Sequence, residues 1–179
     1  MHTINTSRLL LRPWDKKDCK PFFEINQDDK VLEFLPGAMS QAQIKDFMRY
    51  QNLQLKNRHY MLWAVELKKM GQLIGFIGLN YFDKPAHFAP AVEIGWRLGS
   101  QYWGQGYAPE GALACLEYGF KQLGIHEIVA FTVPDNQRSR KVMEKIGMAQ
   151  DMEGSFAHPN LPMAHRLSNH VLYRIQNSR

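Results

Sequence analysis

Apolar and polar positions alternate from Ser7 to Trp14 in a leucine-rich run that Pro13 ends, and this predicts a strand. Asp15 follows, with Asp18 three residues on. That is capping-box spacing, and it predicts a helix with Cys19, Phe22, Phe23 and Ile25 on its apolar face. Pro36-Gly37 breaks the chain. Ser40 caps a second helix, whose stripe is Ile44, Phe47, Met48, Leu53 and Leu55. Tyr60–Leu67 and Gln72–Tyr81 read as antiparallel strands joined by the turn Lys68–Gly71. A loop with two prolines, Phe82–Pro90, leads to a strand at Ala91–Leu98. A glycine-rich stretch, Gly99–Tyr107, leads to a helix at Pro109–Leu123 that Gly124 ends. A β-branched strand at Ile125–Val133, a helix at Asp135–Ile146 stopped by Gly147, and strands near Ala149–Phe156 and Arg166–Ile175 complete the order.

Strands and helices intermixed in this way predict one mixed α/β domain over residues 1–179 with a largely antiparallel sheet. Because a helical crossover separates them, the strand at 125–133 is expected to run parallel to that at 91–98. Composition agrees, since 45% apolar and 22% charged residues are ordinary for a globular domain. Cys19 and Cys115 form no CxxC pattern and read as buried or incidental thiols. With no signal-peptide pattern and no long apolar run, a cytoplasmic, non-membrane protein is expected, monomeric or homodimeric. The net charge of +5 fits either a nucleic-acid surface or an enzyme that binds a polyanion. The basic residues are scattered, with no run longer than Lys16-Lys17 or Lys68-Lys69, which favours the polyanion and makes nucleic acid an unlikely partner.

The chemistry is concentrated between Glu93 and Glu110. Small residues at Gly104, Gly106 and Ala108 let a ligand approach the backbone, and the helix that follows presents free N–H groups and a partial positive charge. This reads as an anion site suited to a diphosphate, or else as a tight strand-to-helix turn. It is neither a GxGxxG nor a P-loop pattern, so dinucleotide and ATP sites are disfavoured. Alternation puts Glu93, Gly95 and Arg97 on one face of their strand and Val92, Ile94 and Trp96 on the other. Glu93 is therefore a candidate general base, or else the ion-pair partner of Arg97 or another cation. The seven histidines show no metal-ligand spacing, and no metal is expected.

The run from Gln101 through Gly104 and Gly106 resembles the acetyl-CoA diphosphate loop of the GNAT N-acetyltransferase superfamily. The wider chain resembles its RimJ/RimL-like branch, in Thr6–Pro13, Glu93–Trp96, Asp135–Ser139, Glu144–Met148, Phe156–Pro159 and His170–Arg174. The resemblance implies a central sheet with two splayed parallel strands and acetyl-CoA as co-substrate. It implies that the pantetheine arm pairs with backbone from Ile94 through Trp96 and Arg97 to Leu98. The diphosphate would lie on the N–H groups of Tyr102, Trp103, Gly104, Gln105, Gly106, Tyr107 and Ala108, with Gln101 shaping the loop. Asn136 would offer its amide to the arm, or cap the helix, a role Asp135 could also fill. Ser139 becomes the candidate acid for the leaving thiolate, with Tyr118 a weaker alternative. Arg138, Arg140 and Lys141 are placed to meet phosphate, and His158 and His170 to line the acceptor side or to hydrogen-bond structurally. Phe82–Pro90 is the expected acceptor-recognition loop.

The implied activity is acetyl transfer to a primary amine by direct attack in a ternary complex. The acceptor is a protein N-terminus or a small molecule such as a polyamine, an aminoglycoside-like drug or an amino-acid derivative. A non-catalytic acyl-CoA-binding module and an RNA-associated protein are the competing classes.

Overall fold

A computed structural model describes residues 3–177. Eight strands form one sheet in the order β1-β2-β3-β4-β5-β6-β8-β7. They are β1 (Ile4–Asn5), β2 (Leu9–Arg12), β3 (Leu62–Leu67), β4 (Gln72–Phe82), β5 (Ala91–Leu98), β6 (Glu127–Thr132), β7 (Ala149–Ala157) and β8 (Asn169–Gln176). Five α-helices flank it: α1 (Cys19–Ile25), α2 (Asp29–Leu32), α3 (Gln41–Arg58), α4 (Tyr107–Lys121) and α5 (Gln137–Lys145). All strand pairs are antiparallel except β5 with β6, which are parallel as the helical crossover requires.

The local signals carry through. Asp15 and Asp18 make the expected capping box, as do Ser40 and Gln43 at the start of α3. Four details differ. The first strand is two short ones, because Thr6 and Leu9 close a turn that leaves Ser7 and Arg8 outside the ladder. The four-residue helix α2 carries no periodic pattern to announce it. Helix α4 begins at Tyr107, which puts Pro109 third in its first turn, where no N–H is needed. β8 begins at Asn169, not Arg166, because 158–168 folds on itself, with the Ser168 carbonyl accepting from the His158 N–H at 2.8 Å.

The two faces of the sheet bury different material. Ile77, Leu79 and Ile128 face α4, which sits so close that a Cβ on Gly111 would lie 2.5 Å from Ile77 and one on Gly119 3.0 Å from Ile128. On the other face Phe76 packs with Phe22 of α1 and Phe47 of α3, their ring centroids 5.4 to 5.9 Å apart. Register extends this division to β5. Ile94 and Trp96 pair with Leu79 and Ile77 and so share the α4 face, while Glu93, Gly95 and Arg97 pair with Asn80, Gly78 and Phe76 and share the α1–α3 face. Both cysteines are free, and Cys115, on α4, is buried. Among the described residues no helix is long and apolar enough to cross a membrane.

Candidate active site

β5 and β6 pair at only two positions, Val92 with Ile128 and Glu93 with Val129. Beyond Glu93 they separate, although β6 continues to Thr132 and β5 to Leu98. The backbone of β5 from Ile94 onward is bonded to β4 on one side and has no β6 partner on the other. A cleft of about 490 Å³ fills this splay. Its lining includes Glu93 to Leu98, the loop residues Tyr102, Trp103, Gly104 and Gly106, the first turn of α4, Thr132, Asn136, Ser139, Lys141 and His170.

The loop after β5 is braced from outside the cleft. Gly104 and Gly106 have φ of +75° and +79°, the left-handed region that only glycine enters at little cost, and Gly106 is the N-cap of α4. The Trp103 indole N–H donates to the Leu98 carbonyl at 2.9 Å, and the Gln105 amide donates to the Gln101 carbonyl at 3.0 Å. Arg8 donates to the Gln105 carbonyl at 2.9 Å and lies over the Tyr107 ring at 4.5 Å. Glu110, in the first turn of α4, anchors this brace. Its partial burial disfavours the charged form, but hydrogen bonds from Thr6, the Arg8 backbone and side chain, and Ser7 outweigh that and hold its pKa at about 2. Sequence reasoning missed this support, because its members are about a hundred residues apart.

Most of the residues expected at the site converge on the cleft, but Gln101 and Gln105 do not line it. Gln101 is exposed, and its carbonyl and the Gln105 amide hold the loop together from the far side. Leu98 lines the cleft, but its carbonyl is already taken by Trp103, which leaves Ile94 to Arg97 as the free run of backbone. Asn136, not Asp135, caps α5. Its side-chain oxygen accepts from the Ser139 N–H at 3.2 Å and its amide donates to the Thr132 hydroxyl at 3.0 Å. The Ser139 hydroxyl has no hydrogen bond within the described residues and faces the cleft. Of the three basic residues on α5, Lys141 lines the cleft. Arg138 lines it too but pairs with Glu33 and lies 4.5 Å over the Trp103 ring. Arg140 is turned away, donating to Tyr173, the Pro134 carbonyl and Gln150. Tyr118 donates to the His59 carbonyl at 2.8 Å and packs on Trp63, outside the cleft.

Glu93 is the last paired residue before the splay. It is half-buried at the cleft wall, and burial raises its pKa to about 7, partly opposed by the Asn80 amide, which donates to it at 3.2 Å. It pairs with no cation among the described residues. Arg97 lies on the same face but four strand residues away, about 13 Å along the chain. His170 also lines the cleft. Its ring is 5.0 Å from that of His158, and burial depresses the pKa of both. Phe88, from the loop between β4 and β5, joins them through Phe131 and Phe156, so that loop closes one end of the site. No group of described residues has the make-up of a metal site.

The acetyltransferase (GNAT) domain model matches residues 8–149. The chain belongs to the GNAT acetyltransferase family. This acyltransferase is 36% identical over 153 residues to the uncharacterized N-acetyltransferase YnaD of Bacillus subtilis, with 84% of each chain covered. A GNAT-family acetyltransferase from Bacillus anthracis shares the fold at a TM-score of 0.80 and 31% identity, with 98% of each chain covered. The ribosomal L7/L12 alpha-N-protein acetyltransferase RimL, solved in complex with coenzyme A, matches at a TM-score of 0.79 with 97% of each chain covered. At 17% identity it supports the fold alone.

Proposed function

We propose that this enzyme transfers an acetyl group from acetyl-CoA to a primary amine within a ternary complex. The observation that carries the reading is the parting of β5 and β6 at Glu93, with a glycine-shaped helix N-terminus at one end of the gap and a half-buried carboxylate at the other. The residues fit the co-substrate. The N–H groups from Tyr102 to Ala108 and the start of α4 suit a diphosphate, and Gly104 leaves open space where a side chain would intrude. The edge of β5 that β6 leaves free from Ile94 to Arg97 suits the amides of a pantetheine arm, and Lys141 adds a cation at the same cleft.

Acetyl-CoA, when bound, supplies an acyl group already activated as a thioester. Glu93 accepts the proton that the amine nitrogen gives up as it bonds to the carbonyl carbon, directly or through one water. A pKa near 7 leaves Glu93 substantially ionised at neutral pH while still basic enough for the task. Backbone N–H groups on the free edge of β5 stabilise the charge that develops on the carbonyl oxygen. Ser139 donates its hydroxyl proton to the departing thiolate as the carbon–sulfur bond breaks and regains one from the protonated Glu93 through water in the cleft, so the net change is one proton moved from the amine to the thiol. No metal and no covalent enzyme intermediate enters this scheme. Thiol release from acetyl-CoA that depends on added amine tests the reading. Binding of acetyl-CoA with no turnover over a broad amine panel would instead identify an acyl-CoA-binding module.

A further inference from the structure

The chamber on the α1–α3 face of β5 contains a charge that acetyl transfer does not use. Arg97 lies on its floor, with Phe76 and Leu62 beside it and Val31, Phe34 and Leu35 lining the same cleft. Its side chain is half-buried, with the guanidinium 5.5 Å from the Phe76 ring. One nitrogen, Nη1, donates to the Asn26 side-chain oxygen and lies 3.6 Å from the Met39 sulfur. Nε and Nη2 have no acceptor within the described residues. No described polar side-chain atom is both fully buried and unpartnered, so these two nitrogens reach solvent, and Arg97 lines the cleft.

The other half-buried arginines are arranged differently. Arg12 is shared between Asp18 and Glu66, Arg174 between Glu127 and Asp151, and Arg140 divides its donors among three oxygen acceptors. Arg97 alone of this group has neither a carboxylate partner nor a full set of acceptors among the described residues. Burying a guanidinium even in part in this way is costly, and burial pulls its pKa down to about 10. An anion that enters the cleft would relieve that cost. The co-substrate's diphosphate is not that anion. Its cradle is at the start of α4, on the opposite face of the sheet from the Arg97 side chain.

We propose that the acceptor is a small amine that also carries an anionic group, a carboxylate or a phosphate, which the free edge of Arg97 receives while the amine lies at Glu93. This rests on the acetyl-transfer reading above and names the substrate class for the same cleft. Gly95, between the two charged residues, keeps the floor low: a side chain there would reach Leu62 at 3.8 Å and stand where the acceptor must pass. Arg97 is suited to the task because its planar fork can meet a carboxylate or phosphate with two parallel hydrogen bonds.

The test compares amines in pairs that differ only in the anion: β-alanine with its amide, 6-aminohexanoate with its amide, and phosphoethanolamine with ethanolamine. Thiol release is compared at equal concentrations of neutral amine. The charged member of at least one pair should have a kcat/KM higher by roughly 10- to 100-fold, the range expected for hydrogen bonds to a charged group. The first two pairs report a carboxylate and the third a phosphate. Arg97→Gln should collapse the ratio toward one by raising KM for the charged member, and Arg97→Lys should retain part of it. Should Arg97→Gln fail to fold, the wild-type ratios still decide. Turnover of the neutral members at rates equal to or above their charged partners would overturn the proposal and leave acetyl transfer standing. Absence of turnover with every amine, despite acetyl-CoA binding, would overturn both.

Discussion

Glu93→Gln removes the charge of the proposed base while keeping its shape, and its effects on rate and on stability have opposite signs. An unfolded glutamate titrates near 4.5, and burial lifts Glu93 to about 7. Between those values the folded chain holds a proton that the unfolded chain has released. Stability therefore falls as pH rises across that window and is level above it. The full difference corresponds to at most about 3 kcal/mol. Glu93 retains some contact with solvent through the cleft, so the working figure is about 1–2 kcal/mol. Glutamine has no such proton to lose. At pH 8 the variant should melt higher than wild type, by about 2–8 °C for a chain of this size. Its rate at neutral pH should fall by roughly 10²–10⁴-fold, with the limb of the kcat/KM profile near 7 removed. Raising the pH should recover part of the loss, because more acceptor amine is then neutral, and more fully for an α-amine than for a lysine-like amine. Thermal melts at pH 5 and pH 8, with a pH–rate profile, measure both effects. A variant that melts well below wild type at pH 8 would mean that Glu93 balances a buried cation, whose loss of partner costs about 3–5 kcal/mol. A variant that keeps its full rate would rule out the base.

Ser139→Ala should lower kcat by roughly 10²–10⁴-fold with acetyl-CoA affinity nearly intact; lost affinity with unchanged turnover of the bound complex would make Ser139 a cofactor contact instead. Gly106→Glu places bulk and negative charge at a left-handed position at the start of α4 and should abolish the melting shift that saturating acetyl-CoA produces, a shift that reflects about 2.7 kcal/mol at a hundredfold excess over Kd. Wild-type stability should decline as pH falls from about 4.5 toward 2, because the stabilising Glu110 carboxylate is present above the unfolded pKa and is lost as it protonates; Glu110→Gln should flatten that decline, and an unchanged slope would refute the brace.

The features legible in the sequence are those that depend on neighbours along the chain. Strand alternation placed Glu93 and Arg97 on one face, the glycine loop marked the start of α4, and the caps at Asp15 and Ser40 formed as written. Alternation also contained evidence against a Glu93–Arg97 pair, since four strand residues span about 13 Å. What the sequence did not reveal depends on contacts across the fold. Arg8 and Glu110 meet across about a hundred residues, and Asn26 reaches Arg97 across 71. Helix α2, with only four residues, is too short to show a period, yet Val31 and the Phe34 and Leu35 that follow it line the chamber. Basic residues on α5 looked equivalent in the sequence. Packing turned Arg140 toward Tyr173 and Gln150 and left Lys141 at the cleft.

In the proposed reaction the gap between β5 and β6 binds acetyl-CoA and delivers its acetyl group to an amine. Purified enzyme incubated with acetyl-CoA and a panel of primary amines tests it most directly, with free thiol followed over time and the N-acetyl product identified by mass spectrometry. Thiol release should require both enzyme and amine, keep step with amide product and be suppressed by Glu93→Gln. Thiol release that ignores the amine, or acetyl-CoA binding with no amide formed from any amine in the panel, would contradict it.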